Sequence, residues 1–218
     1  MRQILITWLS LLSLTAIAQE LQETGTNVDE LVPQGWSHQE ASGDLNKDGI
    51  PDLAVIALPD FKEHLYTRDD GYVYNFNQPL FAIYFGTGDN ELRLWRQYDE
   101  IIPRDEDEYA SNEWDVSITE RGALRIAVSV FYSAGSWTSP SATYVYRYQD
   151  GNFYLIGKDS HSFARNTGVD VVVSENYITH KQQTITSNGF DEDEKTVEKW
   201  KTLPKKPLKL LGDKLEPF

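Results

Sequence analysis

Apolar residues in this chain recur in short, interrupted runs instead of at the three-to-four-residue spacing of a helix. Ten stretches are alternating or β-branched: Asp52–Leu58, Leu80–Phe85, Leu92–Trp95, Trp114–Thr119, Leu124–Tyr132, Thr143–Gln149, Phe153–Ile156, Val169–Ser174, Tyr177–Thr186 and Thr196–Leu203. Turn-forming residues stand between them. Runs of this kind predict strands, and their number predicts an all-β fold: antiparallel sheets, a meander of about ten short strands arranged as a sandwich or an open barrel. Very little helix is expected. One short turn is predicted over Asn27-Val28-Asp29-Glu30-Leu31-Val32, capped by the Asn27 side chain and stopped by Pro33.

The runs differ in how many faces they can bury. Leu124, Ile126, Val128 and Val130 fall on one face of their strand, with Arg125, Ala127 and Ser129 on the other, so that strand should be covered on one side. Leu53–Leu58 and Leu80–Phe85 are apolar at every position, which suits central strands covered on both sides. Between Tyr144–Tyr148 and Phe153–Ile156, Asp150-Gly151 predicts a two-residue hairpin whose turn needs positive φ twice. Gly86-Thr87-Gly88-Asp89-Asn90 and Arg121-Gly122 predict further turns of that kind.

Arg2, the mainly apolar stretch Ile4 to Ile17, and Ala16-Ile17-Ala18 before Gln19-Glu20 form the pattern of a secretory signal peptide over residues 1–18, cleaved after Ala18. The stretch is shorter than the roughly 20 residues of a membrane-spanning helix, and no later segment approaches that length. Residues 19–218 then read as a single all-β domain, secreted or periplasmic. Its charge narrows the partners. With 34 Asp and Glu against 20 Lys and Arg the chain carries a formal −14, which argues against nucleic acid and anionic lipid, since both are bound through basic patches. The absence of Cys removes disulfides, thiolate metal ligation and cysteine nucleophiles.

One segment carries metal chemistry. Gly43-Asp44-Leu45-Asn46-Lys47-Asp48-Gly49-Ile50-Pro51-Asp52-Leu53 has the D-x-N-x-D-G-x-x-D spacing of a calcium loop. Ca²⁺ takes six to eight oxygens, so a short loop must turn its oxygens toward one point. Asp44, Asn46 and Asp48 offer side-chain oxygens, Gly49 permits the sharp turn, Ile50 offers its carbonyl and Asp52 the next carboxylate. The position where an EF-hand places a bidentate Glu is Val55, and a strand follows instead of a helix. Affinity is therefore expected in the extracellular range of about 10⁻⁴–10⁻³ M. The competing reading is an Asx-rich turn with no ion, since Asn, Asp and Gly favour turns in any case.

Together with Phe81-Ala82-Ile83-Tyr84-Phe85-Gly86-Thr87-Gly88-Asp89-Asn90-Glu91-Leu92, this loop makes residues 40–95 resemble an FG-GAP or VCBS-type repeat. In that family the calcium loop joins two strands and a later strand ends in a Gly-x-Gly-Asp turn. The resemblance implies Ca²⁺ as the cofactor, held by Asp44, Asn46, Asp48, Asp52 and the Ile50 carbonyl. Such repeats recur to build a propeller; a single copy here adds a partial propeller-like sheet to the candidate architectures. With Pro33-Gln34-Gly35-Trp36 before the loop and the Tyr-rich hairpin after it, the chain also resembles secreted bacterial proteins carrying one such loop, for which the resemblance supplies no activity.

The remaining features are weaker. Asp105–Glu108 and Asp191–Glu194 read as solvated acidic loops, and Tyr144, Tyr146 and Tyr148 on one strand face read as packing. In the small-residue loop Ser133-Ala134-Gly135-Ser136-Trp137-Thr138-Ser139-Pro140, Trp137 with Tyr132 forms the candidate ligand-facing pair. His38, His64, His161 and His180 are isolated, and no nucleophile elbow surrounds Ser136, so no catalytic residue is nominated. The basic tail Lys199–Lys214 either pairs with the acidic body or stays mobile. The functional reading is a calcium-stabilised binding or interaction module with a glycan or protein ligand in the cell envelope. Its rivals are a hydrolase acting on glycan or cell-wall material and an acidic protein-binding inhibitor or scaffold.

Overall fold

In a computed structural model, which describes residues 20–191, 193 and 195–217, the apolar runs become strands and the residues between them become turns. The signal segment, residues 1–18 with its cleavage point, lies outside the described residues, as do two residues of the second acidic run. The strands are β1 (Thr24–Gly25), β2 (Ser37–Gly43), β3 (Asp52–Leu58), β4 (Leu65–Thr67), β5 (Val73–Asn75), β6 (Leu80–Gly86), β7 (Leu92–Tyr98), β8 (Ala110–Ile118), β9 (Ala123–Tyr132), β10 (Thr138–Gln149), β11 (Asn152–Ala164), β12 (Val169–Asn176), β13 (Lys181–Asn188) and β14 (Val197–Thr202). One helical turn, α1 (Val28–Leu31), is capped by the Asn27 side chain, which accepts from the Glu30 N–H at 3.2 Å.

Fourteen strands among the described residues exceed the ten expected, and each addition has a reason. β2, Ser-His-Gln-Glu-Ala-Ser-Gly, carries no aliphatic larger than Ala; it is an edge strand held by its ladder to β3 and leaves no period-2 trace. β1, β4 and β5 are two or three residues long. Conversely, the run from Tyr177 begins as a turn. The Asn176 side chain accepts from the Ile178 and Thr179 N–H groups at 3.1 and 2.8 Å, His180 has φ 54°, and the strand starts only at Lys181. At Asp150-Gly151 both φ values are positive, 48° and 78°, and Gln149 pairs with Asn152, which is the expected two-residue hairpin.

The strands form a five-stranded antiparallel sheet of order β1-β7-β6-β3-β2, a curled seven-stranded meander of order β14-β13-β12-β11-β10-β9-β8, and the small hairpin β4-β5. β3 and β6 lie inside the first sheet and are buried on both faces. Ala54, Ile56, Phe81 and Ile83 meet Ile126, Val128 and Tyr144 of the curled sheet, while Leu53, Val55, Leu80 and Tyr84 are covered by Leu21, Leu31 and Val32. Phe85 and Trp95 pack against Tyr148 and Phe153, with ring centroids 5.0 to 6.0 Å apart, and so join the sheets at one end.

Across the curled sheet, Val116, Ile126, Tyr144, Lys158, Glu175, Gln182 and Lys201 are in register on one face. That row turns from buried and apolar to polar at β11, so the shared core stops at β10–β11 and β12–β14 extend beyond it. The chain then returns. Residues 203–217 cross the open side of the curl as a strap, with the Leu155 N–H on the Lys209 carbonyl at 2.8 Å, the Leu211 N–H on the Phe153 carbonyl at 2.9 Å and the Leu215 N–H on the Ile101 carbonyl at 2.8 Å. The basic tail is thus docked, and apolar side chains dock it: Leu211 and Leu215 are 4% and 1% exposed. Its ion pairs, Lys209–Asp213 and Lys214–Glu106, are exposed and contribute little.

Candidate functional site

The loop between β2 and β3 begins and ends at the paired residues Gly43 and Asp52. Inside it, side-chain oxygens hold the turn. Asp44 Oδ1 accepts from the Lys47 N–H at 2.7 Å and Oδ2 from the Gly49 N–H at 3.1 Å; Asn46 Oδ1 accepts from the Asp48 N–H at 3.0 Å, and Asp48 Oδ1 from the Ile50 N–H at 2.8 Å. The bonds of Asn46 and Asp48 reach two residues on and are Asx turns, while Asp44 reaches three and five residues on and gathers the rest of the loop. Gly49, with φ 85°, sits where the sharp turn was expected. Asp48 is exposed and Asp44, Asn46 and Ile50 are half-buried.

Asp52 is different. It is 0% exposed, with Oδ2 accepting from the Leu45 and Asn46 N–H groups at 2.8 and 3.2 Å and Oδ1 accepting from the Gly86 N–H at 3.0 Å. Burial pushes its carboxyl above the usual carboxylate range, against the pull of these three donors. The bond to Gly86 ties the loop to the end of β6, where space is tight: a Cβ on Gly86 would lie 2.2 Å from the Pro51 carbonyl oxygen. On its other side the loop meets the β8–β9 turn, where Lys47 Nζ donates to the Arg121 carbonyl, and Leu45 is buried in the shared core. Both sheets therefore position the loop.

Among the described residues, no three His, Asp or Glu side chains sit together in an arrangement that would hold a metal ion. The donor set nevertheless fits a hard cation in kind: two carboxylates, an amide oxygen and the Ile50 carbonyl lie within one turn, with the Asp52 carboxylate behind them. Each oxygen of the Asp44 and Asp48 carboxylates accepts one hydrogen bond, which leaves a lone pair on each. Asp44, Asn46 and Asp48 are brought to one turn, with Asp52, which also closes that turn, behind them.

The aromatic pair is split. Tyr132 lines an open groove of about 830 Å³ together with Asp107, Tyr109, Ser136, Thr138 and Ser162, whereas Trp137, 66% exposed, is not among its lining residues. Arg165 holds that loop. Its guanidinium donates to the Tyr132 and Ser136 carbonyls and lies 4.7 Å over the Phe131 ring, while its own N–H bonds the Trp137 carbonyl at 2.9 Å. No local pattern in the sequence marks Arg165 for this, because its partners lie about thirty residues away. The groove's other wall hangs on Asp105, whose Oδ1 accepts from the Asn112 N–H at 2.6 Å and the amide at 3.2 Å.

Burial holds the Asp105 carboxyl above its ordinary value, with Asp107 adding to the effect. The folded chain therefore binds that proton more tightly than the unfolded chain does, and the stability this group contributes is fully present below the unfolded value of about 3.9 and lost as pH rises through the folded one. Urea unfolding of wild type and Asp105→Asn at pH 4 and pH 7 should show the difference, wild type minus variant, falling with pH. A difference that rises would reverse the sign.

Among the described residues no helix is long and apolar enough to cross a membrane. No curated protein and no solved structure matches the chain. Residues 38–76, which span β2, the acidic loop, β3 and the β4–β5 hairpin and stop short of β6, match the family model of the FG-GAP repeat, so the strand–loop–strand unit built around Asp44–Asp52 is of the FG-GAP type.

Proposed function

We propose that the protein is an exported binding module whose β2–β3 loop takes Ca²⁺ through Asp44, Asn46, Asp48, Asp52 and the Ile50 carbonyl. The observation that carries this is the loop itself: an FG-GAP-type unit with hard oxygen donors in one turn, anchored to β6 through Asp52 and to the β8–β9 turn through Lys47. A bound ion would offset the mutual repulsion of its carboxylates and so stiffen a junction that both sheets share. Export is supported by the signal pattern in residues 1–18. For the ligand, the groove beside Tyr132 and the exposed Trp137 suit a glycan or a protein of the cell envelope, with aromatic faces for stacking and Asp107 at the rim. The two carboxyls raised by burial, Asp52 and Asp105, both accept backbone N–H bonds and hold the chain in place.

The test is thermal unfolding of the purified protein in EDTA and in 10 mM CaCl₂. At 10 to 100 times Kd an ion adds about 1.4 to 2.7 kcal/mol, which for a chain of this size raises Tm by about 3 to 10 °C. Asp48→Ala should match wild type in EDTA and fail to respond to calcium. Equal midpoints for wild type in both buffers would leave the loop as an Asx turn.

A further inference from the structure

The strap and the curled sheet enclose a second space, remote in sequence from the acidic loop. It measures about 660 Å³. Its floor is aromatic and aliphatic, with Tyr144, Tyr146 and Leu155 from β10 and β11, Tyr177 from the turn that follows β12, and Leu208 and Leu215 from the strap. Its rim is cationic in a chain that is otherwise strongly acidic. Lys158, Lys206, Lys209 and Lys214 all border it, against Glu175, Asp213 and Glu216. Two of these lysines are engaged, Lys209 with Asp213 and Lys214 with Glu106. Lys158 and Lys206 have no carboxylate within ion-pair distance among the described residues, and Lys158 Nζ lies 4.8 Å over the Tyr144 ring.

The hydroxyls on the floor are unequal. Tyr144 donates to the Glu216 carbonyl at 2.7 Å and accepts from its N–H at 3.0 Å, and Tyr177 donates to Glu175 at 2.8 Å. Tyr146 is 3% exposed, borders the space, and makes no hydrogen bond through its hydroxyl to any described residue. Burial raises that hydroxyl well above the usual phenol range, so at neutral pH it is an O–H donor. That hydroxyl opens onto the space, where a ligand oxygen can take its hydrogen bond in place of water. An apolar floor, one waiting donor and an unpaired ammonium at the edge define an amphipathic anion.

We propose that this space is a binding site for a small organic carboxylate with an aromatic or aliphatic body, its carboxylate taken by the Tyr146 hydroxyl and the Lys158 ammonium and its body laid against Tyr144, Leu155 and Leu215. The Tyr residues supply ring faces and the strap supplies the lid. The site is independent of the acidic loop, so it stands whether or not that loop takes calcium.

The probe is 2-naphthoate, titrated calorimetrically into the full-length purified protein in EDTA and again in CaCl₂, with 2-naphthalenemethanol as the neutral counterpart. Saturable binding in both buffers is expected, at least tenfold weaker for the alcohol, and about tenfold weaker for naphthoate in Tyr146→Phe and in Lys158→Met, since hydrogen bonds to charged groups are the stronger ones. Tyr146→Phe should unfold at the wild-type temperature or above it, because it deletes a donor that has no protein acceptor. No saturation up to 10 mM naphthoate would mean that the space holds only solvent and would overturn the proposal. So would equal binding of acid and alcohol, binding undiminished in both variants, or a Tyr146→Phe protein that unfolds clearly earlier than wild type in the absence of ligand.

Discussion

Asp52→Ala is expected to destabilise the metal-free protein by about 3 to 5 kcal/mol, the cost of leaving several buried donors without an acceptor. The donors are the N–H groups of Leu45, Asn46 and Gly86, all bonded to a carboxylate that is 0% exposed. Two of them set the course of the loop and the third ties it to β6, so the loss should reach beyond the turn to the pairing of β3 with β6. Asp52→Asn retains the shape and one acceptor but points an NH₂ group at a neighbouring N–H, and should cost less, about 1 to 3 kcal/mol. Urea unfolding in EDTA measures both. Asp48→Ala, at an exposed position, should stay within about 0.5 kcal/mol of wild type under the same conditions. The contrast separates two kinds of loop acid: Asp52 matters without calcium, whereas Asp48 matters only with it. An Asp52→Ala protein as stable as wild type in EDTA would show that water replaces the carboxylate and that the loop is not held from behind.

This division of labour explains which parts of the molecule could be read from residues in a row. β3 and β6 were legible because an uninterrupted apolar run in an all-β chain can only be covered on both faces, as Val55 and Phe81, each 0% exposed, confirm. β9 was legible from strict alternation, and the Asp150-Gly151 hairpin from the rarity of residues that accept positive φ. β2 was not, because an edge strand stabilised by its backbone ladder needs no apolar face. In the loop, the residue types and their spacing were visible, but the bond from Asp52 to Gly86, 34 residues away, has no local signature. Trp137 lies exposed, and Arg165 fastens the backbone beneath it through a contact across strands. In the tail the docking residues leave no local signature. Its lysines point to charge, while the docking is done by Leu211 and Leu215 in a Pro- and Lys-rich background with no periodicity to mark them.

That strap gives the second large effect. Leu215→Ala and Leu211→Ala are each expected to lower stability by about 2 to 5 kcal/mol, the range for removing most of a buried leucine from a packed core. Both side chains belong to the cluster that also contains Ile126, Tyr144 and Phe153, so each deletion opens a void between the sheets instead of at the surface. The strap adds few backbone bonds of its own, chiefly those of Lys209, Leu211, Leu215 and Glu216, and cannot hold its course once its apolar anchors are gone. Lys209→Ala and Lys214→Ala should change stability by no more than about 0.5 kcal/mol, since their partners Asp213 and Glu106 are exposed and screened. Chemical unfolding of the four single variants decides between an apolar and an electrostatic clasp. If the lysine variants prove the more damaging pair, or if raised salt weakens wild type as much as Leu215→Ala does, the strap is held by charge. If the leucines dominate, amide exchange at Leu155, Leu211 and Leu215 should accelerate together in either leucine variant, because the strap then lifts as one unit.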